Sequence, residues 1–150
     1  RRRDLAAAFL TDAAIDAQIV EVDGPQYLAD LLAELPDYID EYIINTNPHH
    51  SLPNLLSVSI QYIEGESVML MLDDDDIAVS TRSACATGSL RASHVLISIG
   101  LSHADAQGTL VLSYGIDTTE EDITVFLTSL KNIVTTLRNI SPLYQKISQS

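Results

Sequence analysis

Apolar residues recur along this chain at two spacings, and the two alternate. The clearest helical stripe is Ile123, Phe126, Leu127, Leu130, Ile133, Val134 and Leu137. Steps of three and four put these side chains on one helix face. Thr118 and Glu121 read as a capping box at its start, and Ser141-Pro142 as its stop. Glu120, Glu121 and Asp122 near the beginning, with Lys131 and Arg138 toward the end, match the helix dipole. Tyr27, Leu28, Leu31, Leu32 and Leu35 form a second stripe, opened by Pro25 and ended by Pro36. Leu5, Phe9, Leu10, Ala13 and Ala14 predict a lead-in helix over 4–20, with a strand-like tail at 19–22. Glu64-Gly65-Glu66-Ser67 opens a further helix, and the apolar run 68–72 predicts that it is buried all round. Leu90, Val95, Leu96 and Ile99 mark a helix from near Ser89 that Gly100 stops, and 102–106 a second short one.

The other spacing is two. Leu56, Val58, Ile60 and Tyr62 alternate with smaller residues and predict a strand over 55–62. Shorter strands are expected at 42–44, at 77–79 and at 109–114, the last closed by Gly115. The order is helix, strand, strand, helix, strand, helix, strand, helix. It predicts a small α/β sandwich, a sheet of about four strands with helices packed on it, and a single domain over 1–150.

Composition narrows the function classes. Apolar residues are 46% and charged residues 19%, so the chain is globular, and with no tryptophan its core must be aliphatic. The net charge of −13, with only 8 Lys and Arg, argues against nucleic-acid or anionic-membrane binding. It fits a soluble protein with basic partners or none. No run approaches the ~18 apolar residues of a membrane span. A lone cysteine makes no internal disulfide, so a reducing, cytoplasmic compartment is expected. A start at Arg1 without methionine suggests a fragment or a processed form.

That cysteine is the candidate chemistry. Cys85 lies in Ser80-Thr81-Arg82-Ser83-Ala84-Cys85-Ala86-Thr87-Gly88-Ser89, between an apolar strand and a helical pattern. No large apolar side chain in the stretch seeks burial, and functional residues concentrate on such loops. A thiol reacts as its thiolate, so it needs exposure and a nearby positive charge. Arg82 and a helix N-terminus near Ser89 are the candidates for the latter. His94 or His103 could pair with Cys85, although a surface position is the simpler reading for both, as it is for His49 and His50. Asp73-Asp74-Asp75-Asp76 lacks the spacing of a calcium loop and reads as a solvated turn. No metal-ligand spacing, P-loop or nucleophile elbow is present.

Several segments, in order, resemble one family. Leu52-Pro53-Asn54-Leu55-Leu56-Ser57-Val58-Ser59, Glu64-Gly65-Glu66-Ser67, Ile77-Ala78-Val79-Ser80, Ser83-Ala84-Cys85, Ser93-His94-Val95-Leu96, Thr118-Thr119-Glu120-Glu121 and Ser141-Pro142-Leu143-Tyr144 carry the likeness. Together they are similar to the C-terminal part of cysteine desulfurases of the NifS/IscS kind, fold-type I enzymes that use pyridoxal phosphate. The likeness runs over about 31–144 and leaves 1–30 as a helical lead-in. It implies that Cys85 is the nucleophile that takes sulfur from cysteine as a persulfide and passes it to an acceptor or iron-sulfur scaffold protein. It also implies that pyridoxal phosphate is held mainly by a large domain absent from this chain, in an enzyme that is dimeric when complete.

The departures from the family pattern matter as well. Val111 stands where the family carries the arginine that grips the substrate carboxylate, and Ile116 replaces a second arginine. Losing a bidentate clamp is not a conservative change. Arg82 and Arg91 are unusual for the family and are candidates to compensate. Three readings follow: the small domain of a desulfurase, a degenerate non-catalytic partner of a desulfurase or scaffold, and a stand-alone persulfide carrier.

Overall fold

The computed structural model describes residues 24–47, 51–52, 54–81, 92–115 and 117–147. The expected lead-in helix over 4–20 lies outside these residues. The first described element is helix α1, Gly24–Tyr38. It runs two residues past Pro36, where a stop was expected. The ring removes only one amide donor in the last turn, and the Ile39 N–H still reaches the Leu35 carbonyl at 3.0 Å.

Strand β1, Tyr42–Ile44, pairs antiparallel with β2, Leu55–Ile60, which pairs antiparallel with β3, Thr109–Ser113. The sheet order is β1-β2-β3, so β2 is central. The expected fourth strand at 77–79 does not form, and among the described residues the sheet has three strands rather than about four. The reason lies in how the preceding helix ends. Helix α2, Gly65–Asp74, closes with Asp76 in the left-handed region at φ 61°. The Asp76 N–H then bonds the Asp73 carbonyl and the Ile77 N–H the Leu72 carbonyl, the two bonds of a Schellman motif. Ile77 is thus committed to the helix end. The chain meets the sheet only at Ser80, which forms an isolated bridge with Val111.

Two short helices follow, α3 at His94–Ser98 and α4 at His103–Gln107. Helix α3 is shorter than the pattern from Ser89 suggested. Ser93 is its N-cap, and Leu90 lies outside the described residues. Gly100, at φ 103°, ends it with the same pair of bonds, from Gly100 to Ile97 and from Leu101 to Leu96. Ser102 caps α4 by accepting from the Asp105 N–H.

The long helix α5, Glu120–Ile140, is the expected one, but its capping box sits one residue later. Thr119 and Asp122 form the box, not Thr118 and Glu121. Thr118 instead accepts from the Gly115 N–H at 3.0 Å and shapes the turn before the helix. Ser141-Pro142 does end α5, yet Pro142 also starts a last helix, α6, Pro142–Ile147, which the pattern did not suggest.

The core lies between one face of the sheet and helices α1, α2 and α5. Leu56, Val58, Ile60, Leu110 and Leu112 face Leu31, Leu35, Val68, Leu72, Phe126, Leu127, Leu130 and Val134. Fully burying one such side chain contributes roughly 2 kcal/mol, so this face dominates stability. Helix α2 is less buried than its composition predicted: Val68 and Leu72 turn inward, while Leu70 is exposed. A helix on the surface of a three-stranded sheet has only one side to bury. Arg138 is buried at the far end of α5. It pairs with Asp40 and donates to the carbonyls of Asp40 and Glu41 at 2.8 and 3.1 Å, tying α5 to the turn before β1. The Tyr144 ring of α6 covers its guanidinium, centroid to carbon 5.0 Å. No described helix is long and apolar enough to cross a membrane.

Candidate functional site

The segment that holds Cys85 starts from a fixed point. Ser80 and Val111 exchange both backbone hydrogen bonds, at 3.1 and 2.6 Å. The described chain continues through Thr81 and resumes at Ala92, just before α3. Arg82, Cys85, Ser89 and Arg91 lie outside the described residues, as do His49, His50 and Ile116. Thr81, next to the bridged Ser80, is therefore the described residue nearest in sequence to the candidate nucleophile.

Val111 is half-buried, and its side chain belongs to the sheet face opposite the core. On that face it stands opposite Ser57 of β2. A polar ladder crosses the strands beside it. Asn45 donates to the Ser57 and Ser59 hydroxyls at 3.3 and 2.9 Å, and Ser59 and Thr109 share a hydrogen bond of 2.6 Å. Ser59 and Thr109 are fully buried, so this bond satisfies two hydroxyls that would otherwise carry a desolvation cost. The Asn45 Oδ1 is buried and has no partner among the described residues. The sequence reading missed this ladder. Its signal was the serine at alternate positions 57 and 59 between apolar residues 56, 58 and 60.

The two described histidines are exposed. His94 opens α3 and His103 opens α4. Among the described residues no group of three His, Cys, Asp or Glu side chains converges as a metal site.

The pattern of the class-V aminotransferases matches residues 4–126. The chain belongs to this family. Cysteine desulfurase IscS 1 of Archaeoglobus fulgidus is 44% identical over 108 residues, covering 72% of this chain and 28% of that protein. Cysteine desulfurase IscS of Dictyoglomus turgidum is 38% identical over 141 residues, covering 89% of this chain and 35% of that protein. A solved NifS-like protein superposes with a TM-score of 0.62 at 29% identity, over 76% of this chain and 28% of that one. The NifS-like protein of Rickettsia africae shares the fold, with a TM-score of 0.66 at 24% identity over 87% of this chain and 32% of that one. The chain thus spans about a third or less of the length of these relatives.

The α/β fold of this class-V aminotransferase chain agrees with those structures. Among the described residues no lysine is placed to hold pyridoxal phosphate. A Schiff-base cofactor needs a lysine in a cavity, and the sequence has two lysines, Lys131 and Lys146. Lys131 is exposed on α5 with its ammonium 5.6 Å above the Tyr38 ring, and Lys146 is exposed on α6. Neither adjoins the sheet edge at Val111, and no cofactor step is assigned to them.

Proposed function

We propose that this chain is the small domain of a cysteine desulfurase and that Cys85 is its sulfur carrier. In this reading Cys85 takes sulfur from cysteine as a persulfide and hands it to an acceptor protein that serves iron-sulfur cluster or other sulfur-compound synthesis. A separate or preceding large domain holds the pyridoxal phosphate. The observation that carries the reading is the likeness of the chain to proteins named cysteine desulfurase, together with a single cysteine in a small-residue segment. The Ser80–Val111 bridge supports it physically. It ties the chain just before Cys85 to a sheet edge, away from the aliphatic core.

The test is mass spectrometry of the chain after incubation with cysteine and a pyridoxal phosphate-loaded desulfurase large domain. Cys85 is expected to gain one sulfur atom, removable by a thiol reductant, and Cys85→Ser to gain none. An unmodified Cys85 while the partner turns over rejects the reading.

A second reading is favoured by Val111. An aliphatic side chain on the outer sheet face cannot bind a carboxylate as an arginine does. The chain is then a degenerate subunit that binds a desulfurase or scaffold without turnover. Val111→Arg separates the two readings. Under the first, restoring the arginine raises sulfur loading of Cys85. Under the second, neither Val111→Arg nor Cys85→Ser alters the complex.

A further inference from the structure

Three described residues other than glycine hold a left-handed backbone: Glu41 at φ 47°, Tyr62 at φ 69° and Asp76 at φ 61°. That conformation crowds an L side chain against its own carbonyl, and it persists only where surrounding groups hold it. Asp76 is held locally, by the bonds that close α2. Glu41 and Tyr62 are far apart in sequence, yet they flank the same end of the sheet. Tyr42 pairs with Ile60 there, and the Gln61 N–H reaches the Glu41 carbonyl at 2.9 Å.

Both residues are gripped by the corner between α5 and α6. The Arg138 Nη2 donates to the Asp40 and Glu41 carbonyls at 2.8 and 3.1 Å, and the Ser141 Oγ donates to the Tyr62 carbonyl at 2.8 Å. The Tyr144 ring of α6 closes this corner. It lies 5.0 Å over the Arg138 guanidinium and 5.8 Å from the Tyr62 ring, tilted by 48° to it. The Arg138 side chain is only 5% exposed, although its partner Asp40 is 72% exposed. Cover from the ring helps to keep the guanidinium dry, and its hydrogen bonds are stronger for it. Tyr144 also lines a groove of about 390 Å³ with Tyr38 and Asp40, which leaves the ring space to withdraw.

We propose that α6 is a conformational strap on the end of the sheet. Seated through Tyr144, it holds Glu41 and Tyr62 in the left-handed region. Withdrawn, it admits water to the Arg138 guanidinium and weakens the bonds to the Asp40 and Glu41 carbonyls. The two strained residues then relax, and the β1–β2 ladder opens from its Tyr42–Ile60 end. The strain in the backbone supplies the direction of the change, and the seating of one aromatic ring controls it. The proposal does not depend on Cys85, and its test involves no sulfur chemistry.

The test is amide hydrogen exchange, read residue by residue by NMR on the full 150-residue chain. Tyr144→Ala is expected to speed exchange of the Gln61 amide about tenfold. The Val111 amide, bonded to Ser80 at the opposite edge of the sheet, should stay within about twofold of the parent. The strong cross-relaxation between amide and Hα protons that a positive φ gives Glu41 and Tyr62 should weaken in parallel. Ser141→Ala removes one bond of the corner and should speed Gln61 exchange about threefold. Adding Glu41→Gly to Tyr144→Ala should bring Gln61 exchange back to within about twofold of the parent, because glycine takes the left-handed conformation without strain. Equal acceleration at Gln61 and Val111 means that α6 acts on overall stability alone and overturns the proposal. Unchanged exchange at Gln61, or no rescue by glycine, overturns it as well.

Discussion

The two faces of the sheet are made from the same three strands and work by different physics. The inner face is aliphatic, with Leu56, Val58, Ile60, Leu110 and Leu112 closed over by α1, α2 and α5. The outer face holds Asn45, Ser57, Ser59 and Thr109, linked by side-chain hydrogen bonds. Apolar burial is non-directional and scales with area, so the inner face tolerates reshaping but not emptying. The outer face gains little net energy per bond and loses much when one partner is removed. Val111 belongs to this outer face, as does the bridge to Ser80 that anchors the Cys85 segment. The inner face therefore sets stability, while the outer one holds Val111 beside a hydrogen-bonded polar ladder.

The largest expected effect is on the inner face. Leu127 is fully buried on α5, and Leu127→Ala should destabilise the chain by about 3 kcal/mol in urea unfolding, with m unchanged. A loss below about 1 kcal/mol means that the helices collapse into the gap, and the contrast between the faces weakens.

Next comes the corner where α4 closes over β2. A Cβ on Gly108 would stand 2.1 Å from the Ile60 carbonyl oxygen, and the Ile60 N–H bonds the Gly108 carbonyl at 2.9 Å. Backbone cannot step aside as a flexible side chain can. Gly108→Ala should cost about 2 kcal/mol, measured by thermal unfolding, and should shift the amide resonance of Ile60.

A smaller effect tests the outer face directly. Ser59→Ala leaves the buried Thr109 hydroxyl without its partner and should cost about 1.5 kcal/mol. Adding Thr109→Val removes the orphaned group and should recover part of that loss, a non-additivity that a double-mutant cycle reads out. Strict additivity would remove the hydrogen-bonded ladder from the account.

The smallest effect is at the start of α5. Hydrogen bonds from the Thr119 side chain and backbone hold the Asp122 pKa below its ordinary value. A carboxyl depressed in the folded state contributes stability that is present above its unfolded pKa. That stability is lost as pH falls from the ordinary aspartate range through the lower folded value. Asp122→Asn should therefore flatten the acid limb of a stability–pH curve and leave its neutral-to-basic part parallel to the parent's. An identical acid limb would show that the capping box does not hold in solution.

Legibility in the sequence followed the range of the interaction. Helix α5 was readable because its stripe repeats over about four turns and its terminators are local. The end of α3 was readable too, since Gly100 is the residue that a left-handed position selects. The end of α2 makes the same motif with Asp76, and the sequence shows there only a run of aspartates. That hidden turn is why 77–79 read as a strand. The segment has the composition of one, but its first amide belongs to the helix. The capping box was misplaced by one residue because Thr118-Thr119-Glu120-Glu121-Asp122 offers two registers, and only the helix start chooses between them. As for the candidate site, the sequence marked Cys85 and Val111 as the positions to examine. It could not show that Val111 is bridged to Ser80, because residues 31 positions apart meet only through the sheet.

By itself, then, the sequence determined the alternation of helix and strand, the aliphatic core, the acidic surface and the one candidate nucleophile. These depend on side-chain chemistry and short-range spacing. The tertiary structure alone decided that 77–79 does not join the sheet, that Arg138 is buried against Asp40, and that the serines of β2 meet Asn45, just past β1, and Thr109 of β3. It also brought the segment after α2, the end of β3 and the start of α5 together around a groove lined by Ile77, Leu112 and Phe126. Each of these depends on which distant backbone groups remain free to pair, and that is settled only when the helix ends and sheet edges have taken theirs.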